Sequence, residues 1–213
     1  MNMRFVDLSH PINEGMPLYP GTPGVQIKTL HTLGKDGFRE KQLTFTTHIG
    51  THVDTPAHML ARGATIDRLP LASFFGRACV LDVRSLVGKT IDVAFLHAQS
   101  LETDVDFVLF YTGFAAYWGK ERYFDGYPVL SKDGAKYLIE LGLKGIGLDA
   151  VSPDVMDSED FPIHHILLSA GLIIVENLTN LNQILNQTFT LAVFPLNVNQ
   201  ADGMPVRAVA LLQ

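Results

Sequence analysis

Apolar residues recur along the chain in short runs or strict alternation at about 25–32, 38–47, 78–83, 106–111, 144–149, 172–178, 189–198 and 205–212. Those lengths and the two-residue period predict β-strands. Helical spacing is rarer. It predicts helices over about 92–100 after Thr90, over about 131–141 with Ser131 as N-cap and Gly142 just past the end, and over a short stretch at 164–170 before Gly171. Residues 10–24 hold Pro11, Pro17, Pro20 and Pro23 with Gly15, Gly21 and Gly24, so they predict a shaped loop able to cover a site. The mixture, dominated by strands, predicts an α/β or α+β architecture. With no repeat and no linker-like tract, residues 1–213 read as a single domain.

Composition narrows the class of partner. Hydrophobic residues make up 47% and charged residues 18%, and no apolar run approaches the roughly 18 residues of a membrane span. The net charge of −6 carries no Lys/Arg cluster, so neither a nucleic-acid nor a membrane partner is expected, and a small molecule is. Met1–Phe5 leads directly into Asp7-Leu8-Ser9-His10 without the apolar core of a secretory leader, so a cytoplasmic location is expected. The single Cys79 sits among Ala78, Val80 and Leu81, where a thiol serves as a small packing group.

The chemistry concentrates in His48-Ile49-Gly50-Thr51-His52-Val53-Asp54-Thr55-Pro56-Ala57-His58. Gly50 and Pro56 oppose a continuous helix, whereas an extended segment would turn all four even-numbered ligand-type residues to one side. Gly50 would lie on that side too and let an ion approach the backbone. Imidazoles with one carboxylate suit Zn²⁺ or Mn²⁺, and three protein donors leave positions open for water and substrate. A lone surface histidine needs no such account. Three of the eight histidines beside an Asp within eleven residues do.

A second cluster follows at His164-His165 and at Glu176, which interrupts the run Leu172-Ile173-Ile174-Val175. A carboxylate buried in such a strand costs several kcal/mol unless it is paired or bound to a cation. The alternative is a strand end at which Glu176 turns to solvent. Aromatic residues Tyr19, Phe38, Phe114, Tyr117 and Trp118 are available for an aromatic pocket, and Tyr19 is the candidate substrate contact.

The stretch His48–His58 resembles the H-x-G-T-H-x-D-x-P-x-H signature of the cyclase family of metal-dependent hydrolases, which includes bacterial kynurenine formamidases. Further blocks resemble the family as well: Asp7–Pro11, Tyr19–Gly21, Ile66–Pro70, Tyr111–Gly113, His164 with Leu167-Leu168, and Glu176–Leu181. The resemblance implies a swivelling β/β/α domain of the α/β class that assembles as a homodimer or homotetramer with active sites near subunit contacts. It implies one or two divalent ions, Zn²⁺ or Mn²⁺, with His48, His52 and Asp54 as ligands of the first, Asp54 as a possible bridge, and His164 and Glu176 as ligands of the second. His165 is then a spare neighbour, and His58 matches the catalytic histidine. The chain departs after Glu176, where kynurenine formamidases tend to carry Gly and Asn177 stands here.

The expected reaction is hydrolysis of a carbon–nitrogen bond by a metal-activated water, with His58, near neutral pKa, exchanging protons and protonating the leaving nitrogen. Aryl formamides lead as substrates, and isatin-like cyclic imides, lactams or lactones follow. Two other readings stand beside it. His52, Asp54 and a distant His fit the two-His-one-carboxylate triad of a non-haem iron oxygenase, though this leaves His48 and His58 unused. A non-catalytic metal-binding module keeps every ligand and lacks turnover.

Overall fold

The computed structural model describes residues 3–99, 101 and 104–212. In chain order its strands are β1 Arg4–Asp7, β2 Gln26–His31, β3 Glu40–Thr44, β4 His52–Asp54, β5 Phe75–Asp82, β6 Thr90–Ile91, β7 Phe107–Tyr111, β8 Val129–Leu130, β9 Gly145–Leu148, β10 Ile173–Glu176, β11 Phe189–Ala192, β12 Gly203–Pro205 and β13 Val209–Leu212. The α-helices are α1 Leu33–Asp36, α2 Val93–Ala98, α3 Lys132–Glu140 and α4 Pro162–Ser169. Each expected strand and helix has a counterpart. Ser131 caps α3 by accepting from Gly134 N, and Gly142 adopts the left-handed conformation (φ 72°) just beyond it. Of the helix expected over 92–100, Ser100 lies outside the described residues.

Nine strands form one mixed sheet in the order β1-β13-β11-β5-β7-β9-β10-β4-β12. The four central strands β5, β7, β9 and β10 are parallel, and the outer ones pair antiparallel. The sequence expectation of one strand over 205–212 is corrected here, because β12 and β13 lie seven places apart in that order. Flat, seven spacings of about 4.8 Å would separate them by roughly 34 Å. The chain from Pro205 to Val209 reaches at most about 14 Å. The sheet is therefore curled, and its two ends face each other.

The curl creates two cores. On β7, Phe107 and Leu109 point to the inside of the curl with Val6, Val53, Leu191 and Ala210. Val108 and Phe110 point to the outer face, where Leu96, Leu138 and Leu167 of α2, α3 and α4 cover them. Burial on both faces is why the central strands read as continuous apolar runs. The result is an α/β fold layered β/β/α. Cys79 is half-buried on β5 against the helix-side core. No helix of the described residues is long and apolar enough to cross a membrane.

The β2–β3 hairpin stands apart from these cores. Nearly all its residues are exposed, and Leu30, Leu33, Phe38 and Leu43 present 43–55% of their surface to solvent.

Candidate metal centre

β4 carries the first donors. It lies between β10 and β12, with Val53 pairing Val175 and Met204 and turned into the inner core. Alternation then puts His52 and Asp54 on the opposite face, and both are buried. The fully extended segment expected from the sequence is not what forms. Gly50 is left-handed (φ 55°), and Pro56–His58 coil into a single 3-10 turn opened by Pro56. His48 and His58 are brought back by these bends, and their rings pack with centroids 3.8 Å apart. A Cβ at Gly50 would meet the Met16 methyl of the proline-rich loop at 3.0 Å, and Gly50 itself lines the cleft described below. What Gly50 gives the site is its carbonyl, which accepts His52 Nδ1–H at 2.9 Å. That contact puts a proton on Nδ1 and leaves Nε2 as the ring nitrogen that faces Asp54 and Glu176.

Helix α4 and strand β10 bring the remaining donors. Pro162 opens the helix behind Phe161, whose backbone is left-handed (φ 41°) and which offers no capping side chain. Asp154, in the loop before the helix, caps it: its carboxylate accepts Ile163 N at 2.9 Å and His164 N at 3.0 Å. The same carboxylate accepts His164 Nδ1–H at 2.7 Å, so Nε2 is turned toward Glu176 Oε1 at 3.2 Å and Asp54 Oδ2 at 3.7 Å. His165, the next residue, is exposed. Glu176 pairs with His52 across β10 and β4 and is 6% exposed, so it is not a strand end facing solvent.

His48, His52, Asp54, His58, His164 and Glu176 thus converge on one point. Two tight groups of donor atoms share Asp54: one with His48 and His58, the other with His52 and Glu176. His52 Nε2 lies 3.2 Å from Asp54 Oδ1 and 3.4 Å from Glu176 Oε2. His48 Nδ1 donates to Asp54 Oδ1 at 2.7 Å, and its Nε2 donates to Asp202 Oδ2 at 3.0 Å.

The electrostatics are those of a cation site. Among the described residues, Asp54 Oδ2 and Glu176 Oε1 are buried with no hydrogen-bond partner. An unsatisfied buried carboxylate oxygen is expensive, and a divalent cation offsets that cost. Burial, reinforced by the Asp54 charge, raises the Glu176 pKa. Burial also opposes charge on Asp54, but His52, His164 and His48 outweigh it and hold the carboxyl well below its usual range. For His48, burial disfavours the imidazolium, yet Asp202 and Asp54 together lift its pKa to about 10. A proton sits there between two carboxylates where a metal would be expected to replace it. The nitrogen and oxygen donors fit Zn²⁺ or Mn²⁺.

His58 differs from its neighbours. Half-buried, with its Nδ1 3.7 Å from Asp202 Oδ2, it has a pKa pushed down by burial to about 4. Burial therefore favours the neutral form of its imidazole.

His48, His52, His58, His164 and Glu176 line a cleft of about 540 Å³ together with the 17–23 loop, Ile49, Met59, Phe124, Val151 and Phe161. Tyr19 lines it, its hydroxyl donating to Met156 O at 3.2 Å. The other candidate aromatics do not line it: Phe38 is on the exposed hairpin, Phe114 is core, and Tyr117 and Trp118 pack beside the core. Sequence reading passed over Asp154, Asp202 and Tyr123, and marked Asn177 only as a departure from the family pattern.

A family model described as putative cyclase matches residues 6–155. The kynurenine formamidase of Geobacillus thermodenitrificans is 32% identical over 205 residues, spanning 96% of this chain and 95% of the relative. A predicted metal-dependent hydrolase from Bacillus stearothermophilus is 29% identical, with a TM-score of 0.81 over 99% of both chains. Isatin hydrolase A from Labrenzia aggregata, solved with benzyl benzoate, shares 22% identity and a TM-score of 0.87 over 99% of this chain and 94% of its own, a likeness of fold.

Proposed function

This chain belongs to the cyclase family, and on that premise we propose that it is a metal-dependent hydrolase of a carbon–nitrogen bond, acting on an aryl formamide as its formamidase relatives do. The observation that carries the reading is the pair of buried carboxylate oxygens without a hydrogen bond, one on Glu176, which lines an apolar cleft, and one on Asp54 in the same donor cluster. Cyclic imides, lactams and lactones form the second substrate class, which the isatin hydrolase fold favours.

His48, His52, Asp54, His164 and Glu176 would hold one or two divalent ions, Zn²⁺ or Mn²⁺, with Asp54 common to both positions. A bound ion supplies Lewis acidity toward the carbonyl and lowers the pKa of water from about 16 toward about 7. His58, neutral and beside the donors, takes a proton as general base and returns it to the leaving nitrogen as general acid. Asp202 and the His48 ring hold the His58 imidazole in place on two sides. Tyr19 and Phe161 close over the substrate's apolar body, and the walls exclude water from the reacting carbonyl.

We also propose that the protein is a homodimer or homotetramer. A two-stranded ribbon is not stable alone in water, and the apolar side chains of the β2–β3 hairpin call for a second copy to cover them.

The test is turnover of N-formylkynurenine and of isatin by protein reloaded with Zn²⁺ or Mn²⁺, beside chelated protein. Metal-dependent release of kynurenine establishes the formamidase reading. Isatin opening without kynurenine release moves the assignment to cyclic amides, and metal-bound protein inert toward both refutes amide hydrolysis.

A further inference from the structure

Asn177 stands immediately after Glu176 with its backbone left-handed (φ 56°) and its side chain buried. Its amide joins two elements remote in sequence. Asn177 Nδ2 donates to Gly50 O at 2.9 Å, and Tyr123 OH donates to Asn177 Oδ1 at 2.6 Å. Gly50 O is the carbonyl that receives His52 Nδ1–H. One acceptor with two lone pairs therefore carries both contacts, and its direction is set by Asn177 from one side and by the left-handed turn of Gly50 from the other.

We propose that Asn177 and Tyr123 are positioning residues for the metal centre, forming a relay from Tyr123 OH through the Asn177 amide to Gly50 O that fixes the ring of His52. The inference rests on the metal-centre reading above. His52 has only one ring nitrogen free to serve as a ligand, and it is aimed correctly only while Nδ1–H stays on Gly50 O. Gly50 is in a turn, not in the β4 ladder, so no sheet hydrogen bond fixes its carbonyl. Asn177 does so. Tyr123, 1% exposed, holds the amide in one of its two flip states: with Oδ1 toward the phenol, Nδ2 must face Gly50. The backbone bonds around Asn177 are made independently, from Asn177 N to Ala150 O and from Thr51 Oγ1 to Asn177 O, so the amide is left to hold Gly50, with its Nδ2 also 3.4 Å from His52 Nδ1.

The left-handed backbone makes a clean test possible. Asn177→Gly keeps the conformation, which glycine adopts readily, and deletes only the amide. Tyr123→Phe deletes only the hydroxyl. The affinities of these variants for Zn²⁺ and Mn²⁺ are measured by chelator competition, with the His52 ring N–H proton followed by NMR in the metal-free protein. Removing a group that orients a metal ligand typically costs roughly 10- to 100-fold in metal affinity. We expect that range for each variant, a double variant no worse than the larger single effect, and faster exchange of the ring N–H. Ile146→Val, a mild core change on β9, controls for loss of stability alone and should keep wild-type affinity. Affinities of Asn177→Gly and Tyr123→Phe within twofold of wild type would overturn the relay. If Asn177→Gly does not fold, Tyr123→Phe decides alone. Wild-type protein that binds neither ion would refute the metal-centre reading itself, a result distinct from failure of the relay.

Discussion

Glu176 faces His52 across the antiparallel pair of β10 and β4, and the two side chains meet at 3.4 Å with Asp54 beside them. β10 also closes the parallel part of the sheet, so the carboxylate is carried by a strand whose preceding residues are all fully buried. Position and cost are thus linked. The register that aims Glu176 at the histidines is the same one that removes it from water.

The metal-free Glu176→Gln protein is expected to melt at or above the metal-free wild type, because the substitution removes a buried charge next to Asp54. The response to metal should move the other way. Ligand at about 100 times Kd stabilises by about 2.7 kcal/mol, or about 5–10 °C for a chain of this size. At least half of that shift should vanish in the variant, read by thermal melts with and without Zn²⁺.

The metal-stripped protein should lose stability as pH rises from about 6.5 to 10. Against burial, Asp202 and Asp54 raise the His48 pKa to about 10, and His52 and His164 are raised in the same sense by their carboxylates. The folded state therefore holds more protons than the unfolded state across that window, and stability falls with pH there. Metal binding releases those protons, so its affinity rises with pH. The gap in Tm between loaded and stripped protein should widen from pH 6.5 to pH 9.

His58→Ala should lower kcat by about 10²- to 10⁴-fold, the usual weight of a general acid–base group, while bound metal per chain stays unchanged. Loss of metal instead would assign His58 to the donor set that its distance to His48 and Asp54 also permits. Metal content and kcat are measured on the same preparation.

Asp154→Asn should weaken both helix and site. An amide cannot accept the backbone N–H groups of 163 and 164 and the His164 ring N–H together with two oxygens, since one position becomes a donor. A buried donor left unpaired costs about 1–3 kcal/mol, and metal affinity should fall roughly 10- to 100-fold. Melting and chelator competition read the two effects separately.

Leu43→Asp on the hairpin should lower the oligomeric state, measured by light scattering on a sizing column, without unfolding the monomer. The side chain is 55% exposed and belongs to neither large core. An unchanged mass would remove the hairpin from the assembly.

Much of the site was legible in the sequence because its chemistry is local. His48, His52, Asp54 and His58 fall within eleven residues, Glu176 declares itself as a charge in an apolar strand, and the strand and helix periods reflect neighbours only a few positions away. Tertiary structure decided what depends on contacts across the chain. Residues 48–58 converge by a left-handed turn at Gly50 and a coil at Pro56 instead of by extension, because Asp202, Met16 and Asn177 hold those bends from outside the segment. The single run at 205–212 became two strands at opposite ends of the sheet, since only the curl of the whole sheet determines which edge each half meets. Asp154 and Tyr123 gained their roles from a helix terminus and an amide that they reach only in the folded chain, and no spacing rule links residues whose separation is set by packing.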